Sequence, residues 1–330
     1  MRSGTYVDCV RLTLAIAVLQ GAAGCLSPTA RSAADVYARA KAASVDILVA
    51  GRQEGSGWFA DGHGLVVTAS HVVRASTNNV EVLWAEGGQR LPASVVAIDR
   101  GHDIALLKVP DGARPFPALA VADAMPKPGE TVFVFGTALF RHDVLLSGTV
   151  ASRGATFNYF ETPPMAVRCY YVSAPSPPGT SGGPWVDGEG RVVGNQSGFV
   201  THEKAGAGIA VVAPPDAIRR LVATRASAQT PSLGCGLEEL WSQSPGFIAR
   251  LPRGTEGLIT IPIEPGGAAE KAGLNRESCI VAIEGTPVRY RDAAYRLIRT
   301  HKPGDELLLS VRNPEDKEPR QVKVTLGRME

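Results

Sequence analysis

The feature that most constrains this fold is a succession of short β-like runs across residues 45–213, with no long amphipathic segment between them. The chain contains 36 glycines and 24 prolines, and many of these punctuate the runs as turn residues. Short strands at regular spacing favour a sandwich or barrel over a doubly wound sheet. The predicted strands are 64–67, 80–84, 94–98, 104–109, 131–135 and 167–172.

A second domain is expected because 330 residues exceed the usual size of one domain, about 150 residues. After an N-terminal segment (25–44), the first domain covers 45–226 and ends in a helix opened by Pro214, Pro215 and Asp216. Residues 227–232 are small and polar enough to be a linker. The last part, 233–330, is long enough to fold independently. Its predicted strands are 257–263, 280–283, 307–311 and 321–326, and its predicted helices are 268–272 and 292–300.

The amino terminus has the pattern of an export signal. Arg2 and Arg11 flank a short charged region, which an apolar run (12–19) and several small residues follow up to Cys25. The run is too short to span a bilayer. Ala-Ala-Gly-Cys resembles a bacterial lipoprotein signal, which implies a signal peptide at 1–24 and lipidation of Cys25, with simple secretion as the alternative. The predicted location is the periplasm, and Leu26 after the cysteine favours the outer membrane if the host is Gram-negative.

Charge and cysteine content narrow the function classes. The 34 basic and 32 acidic residues give a formal net charge of +2 and are dispersed along the chain, so nucleic-acid binding is not predicted. Outside the amino terminus the cysteines are Cys169, Cys235 and Cys279. A bridge between the last two is an open alternative, but buried free thiols are the default prediction. No closely spaced Cys/His pair indicates a metal site, and no cofactor is predicted.

Three motifs that carry chemistry occur in the order histidine, aspartate, serine. His71 lies in LVVTASHVV, Asp103 in HDIALLKV and Ser181 in PPGTSGGPW. A serine nucleophile needs an imidazole to accept its proton and a carboxylate to hold the correct tautomer. The glycines permit a tight turn in which the backbone amides of Gly179 and Ser181 converge on an oxyanion. Each residue alone has a structural explanation, but the ordered set predicts a catalytic triad.

The motifs as a set resemble the HtrA/Deg family, trypsin-like serine proteases with a C-terminal PDZ domain. The resemblance rests on GSGWFADGHGLVVTASHVV, DIALLKV, GTSGGPWVDGEGRVVGNQSG and GAGIAVVAPPDAIRRLV. It implies a mostly β fold of two six-stranded β-barrels, with the triad in the cleft between them, followed by a smaller PDZ domain, a β-sandwich with helices. The implied reaction is peptide-bond hydrolysis through an acyl-enzyme.

The resemblance extends to the second domain, where EPGGAAEKAGL matches a characteristic PDZ segment. SLGCG stands in place of the family's carboxylate-binding loop. The implied peptide-binding loop is therefore Leu233, Gly234 and Cys235, which would hold the C-terminal carboxylate of a peptide added as a strand.

The nucleophile segment departs from the family pattern. Thr180 replaces the usual Asn or Asp before the serine, and Ser173 replaces an aspartate eight residues upstream of it. Four prolines also stiffen this region: Pro175, Pro177, Pro178 and Pro184. These departures leave the resting geometry of the oxyanion hole open.

Substrate specificity is predicted from the absence of acidic residues in 169–181 and 193–199, the stretches that would line the primary pocket by resemblance. Because a cation would find no counter-charge there, cleavage after small or medium aliphatic residues is expected. The strand beside the substrate would consist of Asn195, Gln196, Ser197 and Gly198.

These features predict a cell-envelope serine endopeptidase that degrades unfolded or misfolded proteins and binds peptide C-termini. The family implies a homotrimer, but the N-terminal segment offers little beyond Tyr37 to hold one, so the oligomeric state stays open. An alternative of another class is a catalytically silent lipoprotein adaptor or chaperone with the same fold. An esterase is disfavoured, because GxSxG-type esterases order their triad Ser, Asp, His.

Overall fold

The structure, a computed structural model, describes residues 32–74, 76–85, 88–162, 164–202 and 205–330. The predicted signal peptide and Cys25 lie outside these residues. Helix α1 (Ala33–Ala43) is capped by Ser32, whose hydroxyl accepts from the Asp35 amide in a capping box. Its Tyr37 packs edge-on against Phe135, with ring centroids 5.5 Å apart. No helix in the described ranges is long and apolar enough to cross a membrane.

The first domain opens with a closed barrel of six antiparallel strands. Its strands are β1 (Ser44–Val49), β2 (Arg52–Phe59), β3 (Leu65–Thr68), β4 (Val80–Trp84), β5 (Gln89–Asp99) and β6 (Ile104–Lys108). They follow the order β1-β2-β3-β6-β5-β4 around the barrel. Fully buried Ile47, Val66 and Leu107 fill the interior, as β-branched and aliphatic side chains do in small barrels.

The second sheet of this domain has seven strands. They are β7 (Thr131–Ala138), β8 (Arg141–Val150), β9 (Thr156–Glu161), β10 (Pro164–Ser173), β11 (Pro184–Val186), β12 (Val192–His202) and β13 (Ala205–Ala213). Pairing of β10 with β13 joins six of the strands in a ring, so the expected second barrel is present with β9 as an additional strand on β10. Helix α2 (Pro215–Thr224) follows and buries Ile218 and Leu221, as the one-face pattern predicted.

The C-terminal β domain contains a six-stranded sheet and a separate two-stranded pairing. The strands are β14 (Pro231–Ser232), β15 (Cys235–Glu239), β16 (Leu258–Ile263), β17 (Cys279–Ile283), β18 (Thr286–Pro287), β19 (Glu306–Val311), β20 (Arg320–Thr325) and β21 (Gly327–Arg328). The helices are α3 (Pro245–Ile248), α4 (Ala268–Lys271) and α5 (Arg291–Ile298). Residues 231–232, assigned to the linker from the sequence, pair with β21 and so belong to this domain.

The C-terminal domain shares one hydrophobic core with the β9–β10 hairpin of the second barrel. Phe157 and Met165 from the hairpin are buried with Leu237 and Tyr295 from the C-terminal domain. The Arg299 guanidinium donates to the carbonyl oxygen of Ala166 in β10. These contacts make the hairpin part of both domains.

The segment between the domains is also fixed in place. The Ala228 amide donates to the Ile98 carbonyl oxygen of β5 at 2.9 Å, and the Ile98 amide donates to the Ser227 hydroxyl at 3.1 Å. Thr230 is buried. The segment is therefore packed along the first barrel.

Candidate active site

The histidine and aspartate predicted for the triad meet at the end of the first barrel. His71 follows β3, and Asp103 lies in the turn between β5 and β6 with a φ of +52°, a left-handed conformation that aspartate tolerates better than most residues. The His71 Nδ1 and Asp103 Oδ2 atoms are 2.7 Å apart. The His71 backbone amide donates to the other carboxylate oxygen at 3.0 Å. Both the ring and the backbone of His71 are thus oriented by one carboxylate.

Two serine hydroxyls complete the hydrogen bonding of this buried carboxylate. Ser70 Oγ donates to Asp103 Oδ1 at 2.7 Å, and Ser197 Oγ donates to Oδ2 at 2.5 Å. A buried carboxylate is stable only when donors or cations replace its hydration. Asp103 has four such donors, counting the two from His71.

The electrostatics follow from these contacts. Burial raises the pKa of Asp103, but the charge of His71 and the hydrogen bonds from His71, Ser197 and Ser70 outweigh it, so the pKa lies below its ordinary value. Burial lowers the pKa of His71, and the charge and hydrogen bond of Asp103 outweigh it, so this pKa lies above its ordinary value. An ionised Asp103 keeps the proton on Nδ1 and leaves Nε2 of neutral His71 free to accept one.

Ser181 lies in the loop between β10 and β11, close to the same group. Its hydroxyl donates to the Ser197 carbonyl oxygen at 3.4 Å, while the Ser197 hydroxyl is the one bound to Asp103. Within the described ranges, no hydrogen bond joins Ser181 to His71. Serine has three staggered χ1 rotamers, and catalytic hydrogen bonds are often loose or absent without substrate, so this geometry is compatible with Ser181 as the nucleophile.

Gly179 has the conformation that its predicted oxyanion role requires. Its φ is +96°, and a β-carbon there would overlap the Thr137 carbonyl oxygen, so only glycine fits. The preceding carbonyl, of Pro178, accepts from the Leu139 amide at 2.8 Å. Because the C=O and N–H of a trans peptide point in opposite directions, this bond turns the Gly179 N–H away from Leu139.

The Ser181 amide is fixed in the same way. The Thr180 carbonyl oxygen accepts from the Gly183 amide at 2.8 Å, which orients the Thr180–Ser181 peptide. Across the described residues, neither the Gly179 nor the Ser181 amide donates to a protein acceptor. Both donors are therefore available for an oxygen that gains charge.

The strand predicted to lie beside the substrate is β12, but its polar side chains serve the scaffold. Asn195 is buried and its Oδ1 accepts from Trp58 Nε1 at 3.0 Å. Ser197 is also buried, with its hydroxyl on Asp103. The sequence indicated the strand but could not show which way these side chains point.

Gln196 and Gly198 also lie on β12, but their neighbours differ from those of Asn195 and Ser197. Gln196 Oε1 accepts from Trp185 Nε1 at 2.7 Å, and its Nε2 donates to Ser176 Oγ and to the Gly198 carbonyl oxygen. A β-carbon on Gly198 would lie 2.9 Å from the Phe160 ring. Phe160, in β9, thus packs on Gly198, a neighbour that no motif in the sequence suggested.

The loop predicted to bind peptide carboxylates is covered in this conformation. Leu233 and Cys235 are buried in the core shared with the β9–β10 hairpin, and Gly234 has a φ of +72°. The Leu237 amide, on the free edge of β15, donates to the Tyr295 hydroxyl at 3.1 Å. A β-carbon on Gly236 would lie 2.7 Å from the Tyr159 ring. The edge of β15 is therefore occupied by side chains of the protein itself.

Comparisons with known proteins bear on the fold and the family. Residues 55–194 match the model of a trypsin-like peptidase domain. Protease Do-like 1, chloroplastic, of Arabidopsis thaliana is 27% identical over 304 residues, which cover 87% of this chain and 66% of the relative. The probable periplasmic serine endoprotease DegP-like of Bartonella henselae is 27% identical over 279 residues, covering 82% of this chain and 52% of the relative.

A solved structure gives the same fold. The HtrA-type protease AlgW with a decapeptide matches with a TM-score of 0.60 at 18% identity, over 90% of this chain and 98% of that one. This chain spans 66% of the length of the Arabidopsis relative and 52% of the length of the Bartonella relative.

Proposed function

We propose that the chain is a serine endopeptidase of the HtrA type, which the match to a trypsin-like peptidase domain and the two sequence relatives support. In this proposal Ser181 is the nucleophile, His71 the general base and Asp103 the orienting carboxylate. The observation that carries it is the Asp103 carboxylate, which is buried, accepts four hydrogen bonds and lies 2.7 Å from His71 Nδ1.

The reaction follows from this arrangement. Ser181 Oγ turns from the Ser197 carbonyl to His71 Nε2, gives its proton to that nitrogen and attacks the scissile carbonyl carbon. The carbonyl oxygen becomes an oxyanion that accepts from the amides of Gly179 and Ser181. The C–N bond then breaks as His71 returns the proton to the leaving amine. A water molecule gives a proton to His71 and attacks the acyl carbon, and His71 then passes that proton to Ser181 Oγ as the ester bond breaks and the carboxylic acid product leaves.

The cellular setting is part of the proposal. A bacterial periplasmic location is supported by the export pattern at residues 1–24 and by the periplasmic designation of the Bartonella relative. Unfolded proteins are the substrates that we propose. Lipidation at Cys25 stays a prediction, because that residue lies outside the described ranges. A homotrimer likewise stays a prediction.

Peptide binding by the C-terminal domain is a further part of the proposal, and the structure sets a condition on it. A peptide that adds to β15 needs the Leu237 amide, which now donates to the Tyr295 hydroxyl. The β9–β10 hairpin also covers Leu233 and Cys235. Strand addition therefore requires that the hairpin move away from β15.

The proposed activity is tested with a fluorophosphonate probe, which reacts with activated serines. We expect labelling of the wild-type protein and of Ser147→Ala, which alters an exposed serine of the same barrel, and no labelling of Ser181→Ala. The same wild-type protein should degrade unfolded casein. A folded wild-type protein that neither labels nor cleaves casein, with or without activating peptides, would favour the adaptor.

A further inference from the structure

Ser56, in β2, contacts both residues whose amides face the proposed oxyanion. Its backbone amide donates to the Ser181 carbonyl oxygen at 2.7 Å, and its hydroxyl donates to the Gly179 carbonyl oxygen at 2.8 Å. Its own carbonyl oxygen accepts from Thr68 Oγ1 at 2.7 Å. The residue is fully buried, so each of its polar groups depends on these partners.

The direction of the Ser56 hydroxyl is determined by a third contact. The Thr137 amide in β7 donates to Ser56 Oγ at 3.1 Å. A hydroxyl has one proton, and this neighbour can only donate, so the Ser56 proton must point to the Gly179 carbonyl oxygen. The serine thus links β7 to the nucleophile loop with a bond of defined polarity.

Four consecutive carbonyl groups of the nucleophile loop, from Pro178 to Ser181, each accept a hydrogen bond. Backbone amides of other residues hold those of Pro178, Thr180 and Ser181. A side chain, the hydroxyl of Ser56, holds that of Gly179. A single substitution can therefore remove the donor to this one carbonyl while the backbone bonds to the other three remain. Its peptide is then restrained only by the long bond from the Thr180 amide to the Pro177 carbonyl oxygen, at 3.3 Å.

Gly179 is the residue at which such a release matters most. With no β-carbon it can adopt several backbone conformations, and its present φ of +96° is one among them. Rotation of the Gly179–Thr180 peptide changes the ψ of Gly179 and disturbs the position of its amide relative to that of Ser181. An oxyanion hole loses much of its effect when one donor moves out of position.

We propose that Ser56 is a positioning residue that selects the oxyanion-competent conformation of Gly179. This inference rests on the proposed endopeptidase function and deepens it. The support extends outward from the site, because Thr137 Oγ1 donates to buried Asp46 Oδ1 at 2.6 Å and His142 Nδ1 lies 3.0 Å from Asp46 Oδ2. These contacts hold the part of β7 that fixes the Ser56 hydroxyl.

The test is the Ser56→Ala variant, measured with a peptide substrate and with a peptide boronate that forms a tetrahedral adduct on Ser181. We expect kcat to fall about 10- to 100-fold with KM within about twofold, and the boronate to bind more weakly by about the same factor as kcat. The matched control is Tyr170→Phe, which deletes another buried hydroxyl of the first domain, bound to the Val193 carbonyl oxygen at 3.1 Å. This control should lose stability and keep its kcat.

The outcomes separate the inference from the proposed function. If the wild-type protein shows no turnover and no fluorophosphonate labelling, the endopeptidase proposal fails. If the wild-type protein is active and Ser56→Ala keeps kcat and boronate affinity within twofold, the positioning role is wrong. If Ser56→Ala does not fold, Ser56→Cys replaces the hydroxyl with a larger and much weaker donor, and a kcat within twofold of the wild-type value in that variant overturns the inference equally.

Discussion

Replacement of Phe157 should separate the unfolding of the C-terminal domain from that of the barrels. The Phe157 side chain is 2% exposed and lies in the core that the β9–β10 hairpin shares with the C-terminal domain. Its ring centroid is 5.4 Å from that of Tyr295, and the Arg299 guanidinium lies 5.7 Å from it. Both partners belong to the C-terminal domain, so truncation of Phe157 weakens the contact between the two domains.

The magnitude follows from the same contacts. Truncation of a buried phenylalanine to alanine costs about 3–5 kcal/mol, and the aromatic and cation–π contacts of Phe157 place the expected loss at the upper end of that range. A loss of roughly 5 kcal/mol is comparable with the whole stability of a small domain. We therefore expect the Phe157→Ala variant to unfold in two steps, with the C-terminal domain first, where the wild-type protein unfolds in one.

Calorimetry combined with hydrogen exchange measures this directly. In the wild-type protein, the amides of β15 and β10 should exchange with similar free energies of opening, and in Phe157→Ala those of β15 should exchange at a much lower free energy. The control is Phe116→Ala, which removes another buried ring, stacked on Phe59 at 4.4 Å in the first barrel. It should destabilise the barrel without releasing β15. Two transitions in the wild-type protein, or a loss below about 1 kcal/mol in Phe157→Ala, would refute the reasoning.

Two further results are expected. The acid limb of kcat/KM should have its midpoint above the ordinary histidine pKa of about 6.5, because Asp103 raises the pKa of His71 and only the neutral imidazole accepts a proton. The Ser70→Ala variant removes a hydrogen-bond donor from Asp103 and should move this midpoint higher. A downward shift in that variant would contradict this account. The thiols of Cys169 and Cys235 should not react with a thiol reagent at pH 8 in the native protein, and they should react in urea. The reason is that burial raises the pKa of both thiols, to about 12 for Cys235. Fast reaction of the native protein would show that these sites open.

The sequence predicted well what depends on local pattern. Alternating and continuous apolar runs placed β4 at its observed bounds and β3, β6 and β16 within a residue or two of theirs. The free, buried state of the three described cysteines was also predicted correctly. The motifs around His71 and Asp103 identified side chains that the fold brings to 2.7 Å, since each motif follows or precedes a strand of one small barrel.

What the sequence could not show depends on contacts between distant segments. Strand β9 and the docking of its hairpin on the C-terminal domain arise from packing of Phe157 against Tyr295, which are separated by more than a hundred residues and share no motif. Ser56 lies in the recognised stretch GSGW, but its role depends on carbonyl groups far along the chain. The side chain of Asn195 points to Trp58 because the closed barrel leaves a buried indole donor there.

The shared hairpin also determines how the chain can be made. Phe157 and Met165 are synthesised well before the residues of β15 and α5 that bury them. At about 5–20 residues per second, a ribosome needs on the order of ten seconds to reach α5 from the hairpin. During that interval, and in any truncated chain that ends before residue 231, the apolar side of the hairpin is exposed to solvent. An unfinished chain should aggregate through this hairpin, so completion of the C-terminal domain protects the barrels that were made first.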